Sequence, residues 1–219
     1  MILVNEIYPA VCGESRFAGL PCTLVRLTGC HLRCVWCDSA HAFHEGSRHE
    51  VGDVVDRVRE HGFATVLVTG GEPLLQPDVV PLMAALLADG RRVLLETSGT
   101  RGPANAVPLD GVPAGVHRIV DLKAPDSGIA ADLIDWEGIA QLDEGDELKV
   151  VCACREDYEW GRDLVRGGRL PAGVPVTFSP VADGLAPRDL AEWLLADRLE
   201  ARFQIQLHKA VWPDRDRGV

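Results

Sequence analysis

The sequence predicts an α/β protein: an incomplete, open parallel (β/α) barrel of about six units, built as one domain over residues 1–219. Three observations predict it. Short runs rich in Val, Ile and Leu recur along the chain, most of them bounded by Gly, Pro or Asp, and read as strands. Segments with helical spacing of apolar residues lie between them, and such alternation implies parallel βα units with right-handed crossovers. A closed eight-unit barrel takes about 250 residues, whereas 219 residues provide only about six or seven units, so the barrel stays open.

The expected strands, in order, are Ile2–Tyr8, Cys22–Thr28, Thr65–Thr69, Arg92–Thr97, Arg118–Leu122, Glu147–Val151, Val174–Phe178 and Phe203–His208. Several are apolar throughout, as strands covered on both faces are. Helices are expected at Gly52–His61, where Val54, Val55 and Val58 share a face, and at Pro77–Asp89, where Val79, Val80, Met83, Leu86 and Leu87 do, with Gly90 as a stop. Two more are expected at Glu156–Arg166 and Pro187–Leu199. In folds of this class the chemistry sits at the C-terminal ends of the strands.

Composition excludes several function classes. With 47% apolar residues the chain can bury a sizeable core. A net charge of −11 argues against a nucleic-acid or anionic-membrane surface. No run of about 18 apolar residues is present, and the start lacks the basic and apolar stretches of a signal peptide. A reducing, cytoplasmic setting is therefore expected, and seven cysteines, an odd number, disfavour a disulfide framework.

Cys30, Cys34 and Cys37 follow an expected strand in the loop Gly29-Cys-His-Leu-Arg-Cys-Val-Trp-Cys-Asp38. Thiolates hold iron–sulfur clusters, and three of them on a four-iron cubane leave one iron open to a donor from a cofactor or substrate. A zinc site completed by His41 or His44 is the other reading, although C-x3-C-x2-C is not a zinc-ribbon spacing. Thr69-Gly70-Gly71-Glu72-Pro73 ends the next strand, where glycines permit close backbone approach; an ordinary strand–helix turn would look the same. Glu96-Thr97-Ser98-Gly99-Thr100 closes the strand after that, with a carboxylate able to accept from ribose hydroxyls or a serine placed as a helix cap. Cys12, Cys22, Cys152 and Cys154 read as free, non-ligand cysteines.

The C-x3-C-x2-C spacing matches the signature of the radical S-adenosylmethionine superfamily, and the Gly-Gly-Glu-Pro stretch resembles its companion motif. The resemblance narrows to the 7-carboxy-7-deazaguanine synthase family of queuosine and 7-deazapurine biosynthesis. It is carried by Asn5-Glu6-Ile7-Tyr8, Gly13-Glu14, Val25-Arg26-Leu27, Cys37-Asp38-Ser39, Thr69–Pro73, Asp121-Leu122-Lys123, Glu147-Leu148-Lys149, Ser179-Pro180-Val181, Gln206-Leu207-His208-Lys209 and Arg217-Gly218-Val219. It implies a lyase that converts 6-carboxy-5,6,7,8-tetrahydropterin to 7-carboxy-7-deazaguanine and ammonia. A [4Fe–4S] cluster, S-adenosylmethionine and Mg2+ are the implied cofactors. A homodimer and a flavodoxin- or ferredoxin-type electron donor are the implied partners.

Carried over by position, the resemblance places Val11, Cys12, Gly13, Glu14, Arg26, Thr69 and His208 at the substrate, with Arg26 on its carboxylate and His208 facing it from the last strand. It places Trp36, Cys37, Asp38, Gly71, Glu72, Glu96, Ser98, Asp121, Leu122, Lys123, Ser179, Pro180, Val181 and Ala182 at S-adenosylmethionine, and Ser39 at magnesium. The chain departs from the family pattern in four places, one of them Ser39, where threonine is usual. Cys12 stands where glutamine is usual, Ser15 where glycine is, and Ala124-Pro125-Asp126 where Cys-Pro-Gly is. A rival within the superfamily, an activase that puts a glycyl radical on a protein, needs neither Arg26 with Glu14 nor Gln206–Lys209.

Overall fold

The computed structural model describes residues 1–215, 217 and 218. Val219, the last residue of the Arg217-Gly218-Val219 triplet, lies outside the described residues. In chain order the strands are β1 (Ile2–Val11), β2 (Pro21–Leu27), β3 (Ser47–His49), β4 (Thr65–Gly70), β5 (Arg92–Thr97), β6 (His117–Leu122), β7 (Glu147–Cys152), β8 (Val176–Pro180) and β9 (Arg202–Phe203). The helices are α1 (Val51–His61), α2 (Val79–Ala88), α3 (Trp136–Ile139), α4 (Arg155–Arg166), α5 (Pro187–Asp197) and α6 (Leu207–Val211).

The nine strands form one sheet in the order β3-β1-β2-β4-β5-β6-β7-β8-β9. Every neighbouring pair from β2 to β9 is parallel. β3 and β9 lie at opposite edges, which leaves the barrel open, as expected. The start of the chain departs from the parallel pattern, because β1 runs antiparallel to both β2 and β3. The segment 12–20 between β1 and β2 is shorter than the dozen or so residues that a parallel crossover needs. The four expected helices match α1, α2, α4 and α5.

Strand alternation divides the core in two. Val25, Leu27, Val66, Val68, Val93, Leu95, Val120, Leu122, Leu148 and Val150 face outward into the main core beneath the helices. Inward-facing Cys22, Leu24, Leu67, Leu94 and Ile119 form a smaller apolar floor with Ala10 and Cys12. Two residues further along β2 and β4, on the same inner face, stand Arg26 and Thr69, paired in register. Glu96, Asp121 and Lys149 continue that polar layer on β5, β6 and β7, with Asp121 opposite Lys149. The strands that read as apolar on both faces thus change character along their length: an apolar floor, then a polar mouth at the C-terminal ends.

The last strand is corrected. Phe203–His208 was expected as a strand, but β9 ends at Phe203 and His208 lies on α6. The cause is a change of partner. The Gln204 N–H still donates to Phe178, but the Leu207 N–H donates to the Gly13 carbonyl at 2.9 Å, across the open side of the barrel. No helix among the described residues is long and apolar enough to cross a membrane.

Candidate active site

The loop after β2 and the ends of β4 to β7 enclose a cavity of about 450 Å3, lined by all three loop cysteines. The loop is held by backbone contact with β4. A Cβ on Gly70 would lie 2.6 Å from the Leu27 carbonyl oxygen. One on Gly71 would lie 2.8 Å from the Cys30 Cβ and would collide with the Gly29 carbonyl. The Gly71 N–H donates to Leu27 and the Glu72 N–H to Gly29, at 3.1 and 2.8 Å. The close approach these glycines permit is therefore made, in the first instance, to the cysteine loop itself.

The Glu72 side chain is 3% exposed and turns away from the cavity. Its two oxygens accept from the Leu74 N–H at 3.1 Å, the Thr97 hydroxyl at 2.7 Å, and the Ser98 N–H and hydroxyl at 2.8 and 2.6 Å. So saturated a carboxylate organises the end of β5. At this position the cavity is met by Gly70 and Gly71 instead.

Five side chains ring the cavity from consecutive parallel strands: Arg26, Thr69, Glu96, Asp121 and Lys149. Arg26 donates through Nε to Glu6 at 3.0 Å and through Nη1 to Ser39 at 3.1 Å. His41 binds the same Glu6 oxygen at 3.2 Å. Thr69 donates to Glu96 at 3.3 Å. Burial raises the Glu96 carboxyl above its ordinary value, against the pull of Lys149 and Arg26. Lys123 lies 3.0 Å from Asp121. Burial alone would lower both Lys123 and Lys149, yet neighbouring carboxylates hold them raised and charged. Burial would raise Asp38, but Lys209 at 3.2 Å and the Ser39 hydroxyl keep it well below the usual carboxylate range.

The C-terminal segment closes the open side. Besides the Leu207–Gly13 bond, Gln206 donates to Asp38 at 3.3 Å, and Lys209 pairs with the same oxygen. The His208 ring fills the space where a Cβ on Gly13 would stand. Burial lowers the His208 pKa, which leaves the imidazole neutral. The Gln206-Leu207-His208-Lys209 stretch is thus a strap from β9 to the loops that follow β1 and β2.

Of the expected site residues, Val11, Gly13, Glu14, Arg26, Trp36, Cys37, Asp38, Ser39, Thr69, Gly71, Glu96, Ser98, Asp121, Lys123, Val181, Ala182 and His208 line the cavity together with Cys30 and Cys34. Cys12, Glu72, Leu122, Ser179 and Pro180 do not. Cys12 is 2% exposed in the floor, and its N–H and carbonyl are bonded to Leu20 and Gly19. Leu122 faces the outer core, and Ser179 donates to the Gln204 carbonyl at 2.7 Å. Lys149, Gln206 and Lys209 line the cavity without having been assigned a role from sequence. The alternation Glu147-Leu148-Lys149 was the available signal, since Glu147 and Lys149 must share a face.

The cysteine loop suits a cluster better than a zinc ion. Zn–S bonds of about 2.3 Å would draw three thiolates to within about 4.6 Å of one another. Among the described residues, the one group of three potential ligand atoms all within 4.8 Å is Asp126, Cys154 and Asp157, not the loop thiols. Asp157 spends its oxygens on the Asp126 and Ala153 N–H groups, which locks the loop where Ala124-Pro125-Asp126 departs from the family. The His41 ring is engaged by Glu6, and neither His41 nor His44 lines the cavity. Burial pushes the Cys30 thiol up to about 11 and raises Cys34, so these are groups that a bound metal must deprotonate. The remaining cysteines are free and outside the cavity.

A three-cysteine loop at the C-terminal mouth of an open α/β barrel defines a radical S-adenosylmethionine enzyme, with its [4Fe–4S] cluster and S-adenosylmethionine. Residues 24–118 match the Radical SAM superfamily. A 7-carboxy-7-deazaguanine synthase from Chlorobaculum tepidum is 40% identical over 99% of this chain and 96% of its own length. One from Koribacter versatilis is 41% identical over 99% of both chains. The chain belongs to the 7-carboxy-7-deazaguanine synthase family. QueE from Escherichia coli shares the fold, with a TM-score of 0.76 at 22% identity over 94% of each chain.

Proposed function

We propose that residues 1–219 act as one domain that converts 6-carboxy-5,6,7,8-tetrahydropterin to 7-carboxy-7-deazaguanine and ammonia. The observation that carries this reading is the shared cavity: three loop thiols face the same space as a ring of paired cations and carboxylates. Held by Cys30, Cys34 and Cys37, a reduced cluster with S-adenosylmethionine would supply a 5′-deoxyadenosyl radical, the hydrogen-abstracting chemistry that this conversion calls for.

Within this reading, Arg26 meets the substrate carboxylate in a charge-assisted contact. Glu14 and the backbone at Gly13 take the aminopyrimidine edge, and Thr69 and the neutral His208 complete the pocket. Trp36, Asp38, Gly71, Glu96, Ser98, Asp121, Lys123, Val181 and Ala182 hold S-adenosylmethionine. Ser39, with substrate oxygens, offers hard oxygen donors to Mg2+. The working form is a homodimer fed by a flavodoxin- or ferredoxin-type donor in the cytoplasm, a reducing setting that suits seven free cysteines.

The test is an anaerobic reaction of reconstituted protein with dithionite, S-adenosylmethionine, Mg2+ and the carboxylated tetrahydropterin. The expected product is 7-carboxy-7-deazaguanine without stoichiometric 5′-deoxyadenosine. Cofactor cleavage with no deazaguanine would overturn the assignment and turn attention to a glycyl radical on added proteins.

A further inference from the structure

Glu147-Leu148-Lys149 places two charged side chains on the inner face of β7. Glu147 is used at the floor, accepting from the Arg16 N–H at 2.9 Å and from His117 at 2.7 Å. Lys149, one pleat further, reaches the mouth. Its Nζ lies 2.9 Å from Glu14 Oε2 and 3.8 Å from Asp121 Oδ2. The two side chains are only 10% and 8% exposed.

Each neighbouring cation has another partner: Arg26 has Glu6, Lys209 has Asp38, and Lys123 has Asp121. Lys149 is the cation that bonds Glu14 among the described residues. The second Glu14 oxygen, Oε1, is buried and accepts no hydrogen bond within the protein. Burying an acceptor unmet is unfavourable, and Glu14 lines the ligand cavity, so its unmet oxygen is an acceptor within the residue's own reach of a ligand.

We infer that Lys149 is a positioning residue: by taking Oε2 it turns the Glu14 carboxylate so that Oε1 meets the N–H donors of the substrate. The inference rests on the pterin reading above and deepens it. Lys149 acts through Glu14 and makes no contact of its own with the reacting atoms. Without it, a buried carboxylate loses both its counter-ion and its orientation.

Lys149→Met is expected to raise KM and Kd for the carboxylated tetrahydropterin about tenfold or more, with a much smaller change in kcat. In a Glu14→Gln background the same substitution should change KM less than about threefold, because the group it orients has lost its charge. If Lys149→Met alone fails to fold, Glu14→Gln against Glu14→Gln/Lys149→Met still decides, since neither leaves an unpaired carboxylate at residue 14. An equal factor in both backgrounds, or a tenfold loss between those two variants, would show that Lys149 acts on the ligand or the fold directly and would overturn the inference. Wild type that neither binds nor converts the pterin would instead remove the reading beneath it, and the inference with it.

Discussion

The Glu72 carboxylate accepts both the backbone N–H and the hydroxyl of Ser98, at 2.8 and 2.6 Å. Because that hydroxyl gives its hydrogen to Glu72, its contact with Thr100 at 2.7 Å must be donated by Thr100, and His31 must in turn donate to Thr100 at 3.0 Å. A buried charge thus orders a chain of donors that ends on the cysteine loop, with His31 protonated at Nε2. Whichever way the amide is turned, Glu72→Gln sets its N–H2 against a backbone N–H that can only donate, that of Leu74 or that of Ser98. At about 1.5–3 kcal/mol for a hydrogen-bonded charge, and about 2–4 °C per kcal/mol for a chain of this size, the thermal midpoint should fall by roughly 3–12 °C. Iron content after reconstitution should fall with it. An unchanged midpoint and full iron content would show that the network holds nothing in place.

Acid stability should depend on Asp146, 2% exposed at the foot of the barrel. Burial would raise its pKa, but Arg118, at 2.5 Å, and the Asp143 and Arg118 N–H groups lower it. A carboxyl depressed in the folded state adds stability above its unfolded pKa of about 3.9, and that stability is lost as pH falls through the folded value. Asp146→Asn should therefore cost about 3 kcal/mol at neutral pH and flatten the decline of stability with acid. Parallel urea-midpoint curves against pH for wild type and variant would contradict this.

Much of this site could be read along the chain because its motifs are local. Cys30, Cys34 and Cys37 sit on one loop, and Gly70-Gly71 follows one strand later. What stayed hidden depends on partners far apart in sequence. The Lys149–Glu14 pair spans 135 positions, and no local pattern marks it. Phe203–His208 has a strand's composition, but Leu207 leaves the ladder for Gly13, on a loop at the other end of the chain. Glu72 was read as a ligand group because its motif is; only the positions of Thr97 and Ser98 reveal that both its oxygens are already occupied. Cys12 shows the reverse: its side chain lies in the floor beside Cys22 and its N–H and carbonyl are bonded to Leu20 and Gly19, so the backbone leading to Gly13 and Glu14 is held without the usual glutamine.

The cluster assignment predicts a sharp division among the seven cysteines. Alanine at Cys30, Cys34 or Cys37 should abolish the brown chromophore and S-adenosylmethionine cleavage, since thiolates hold the iron. Cys152→Ala should retain both, because that thiol is fully buried among β7 and its neighbours, outside the cavity. Cleavage at wild-type rate by Cys34→Ala would sink the three-thiol assignment.

Ser39 offers one oxygen, which already donates to Asp38 at 3.0 Å and accepts from Arg26 at 3.1 Å. On the proposed reading, a magnesium ion bound there would compete with Arg26 for the serine lone pairs. Chelation of divalent ions should slow turnover, and Ser39→Ala should shift the magnesium titration to higher concentration. Superimposable titration curves would remove Ser39 from the metal site.

On the proposed reading, Arg26 would determine whether the enzyme demands a carboxylate at C6. Its side chain is 14% exposed, tied by Nε to Glu6 and by Nη1 to Ser39 and hydrogen-bonded also to Tyr8, and it lines the cavity. A substrate without the carboxylate forgoes a charge-assisted hydrogen bond to a guanidinium that keeps Glu6, worth about 1.5–3 kcal/mol, or roughly 10- to 150-fold in affinity. Wild type should therefore bind the carboxylated tetrahydropterin more tightly than its unsubstituted analogue by at least about the lower figure. Arg26→Met should bring the ratio near unity. Because Arg26 also neutralises Glu6, the variant can lose some folded protein, so the quantity to measure is the ratio of two dissociation constants on one preparation, from which the active fraction cancels. The Glu6→Gln/Arg26→Met double variant, with no stranded carboxylate, should give the same ratio as Arg26→Met alone. If wild type binds both pterins equally, Arg26 is not the carboxylate's partner, and the cations left to test at the cavity are Lys123, Lys149 and Lys209.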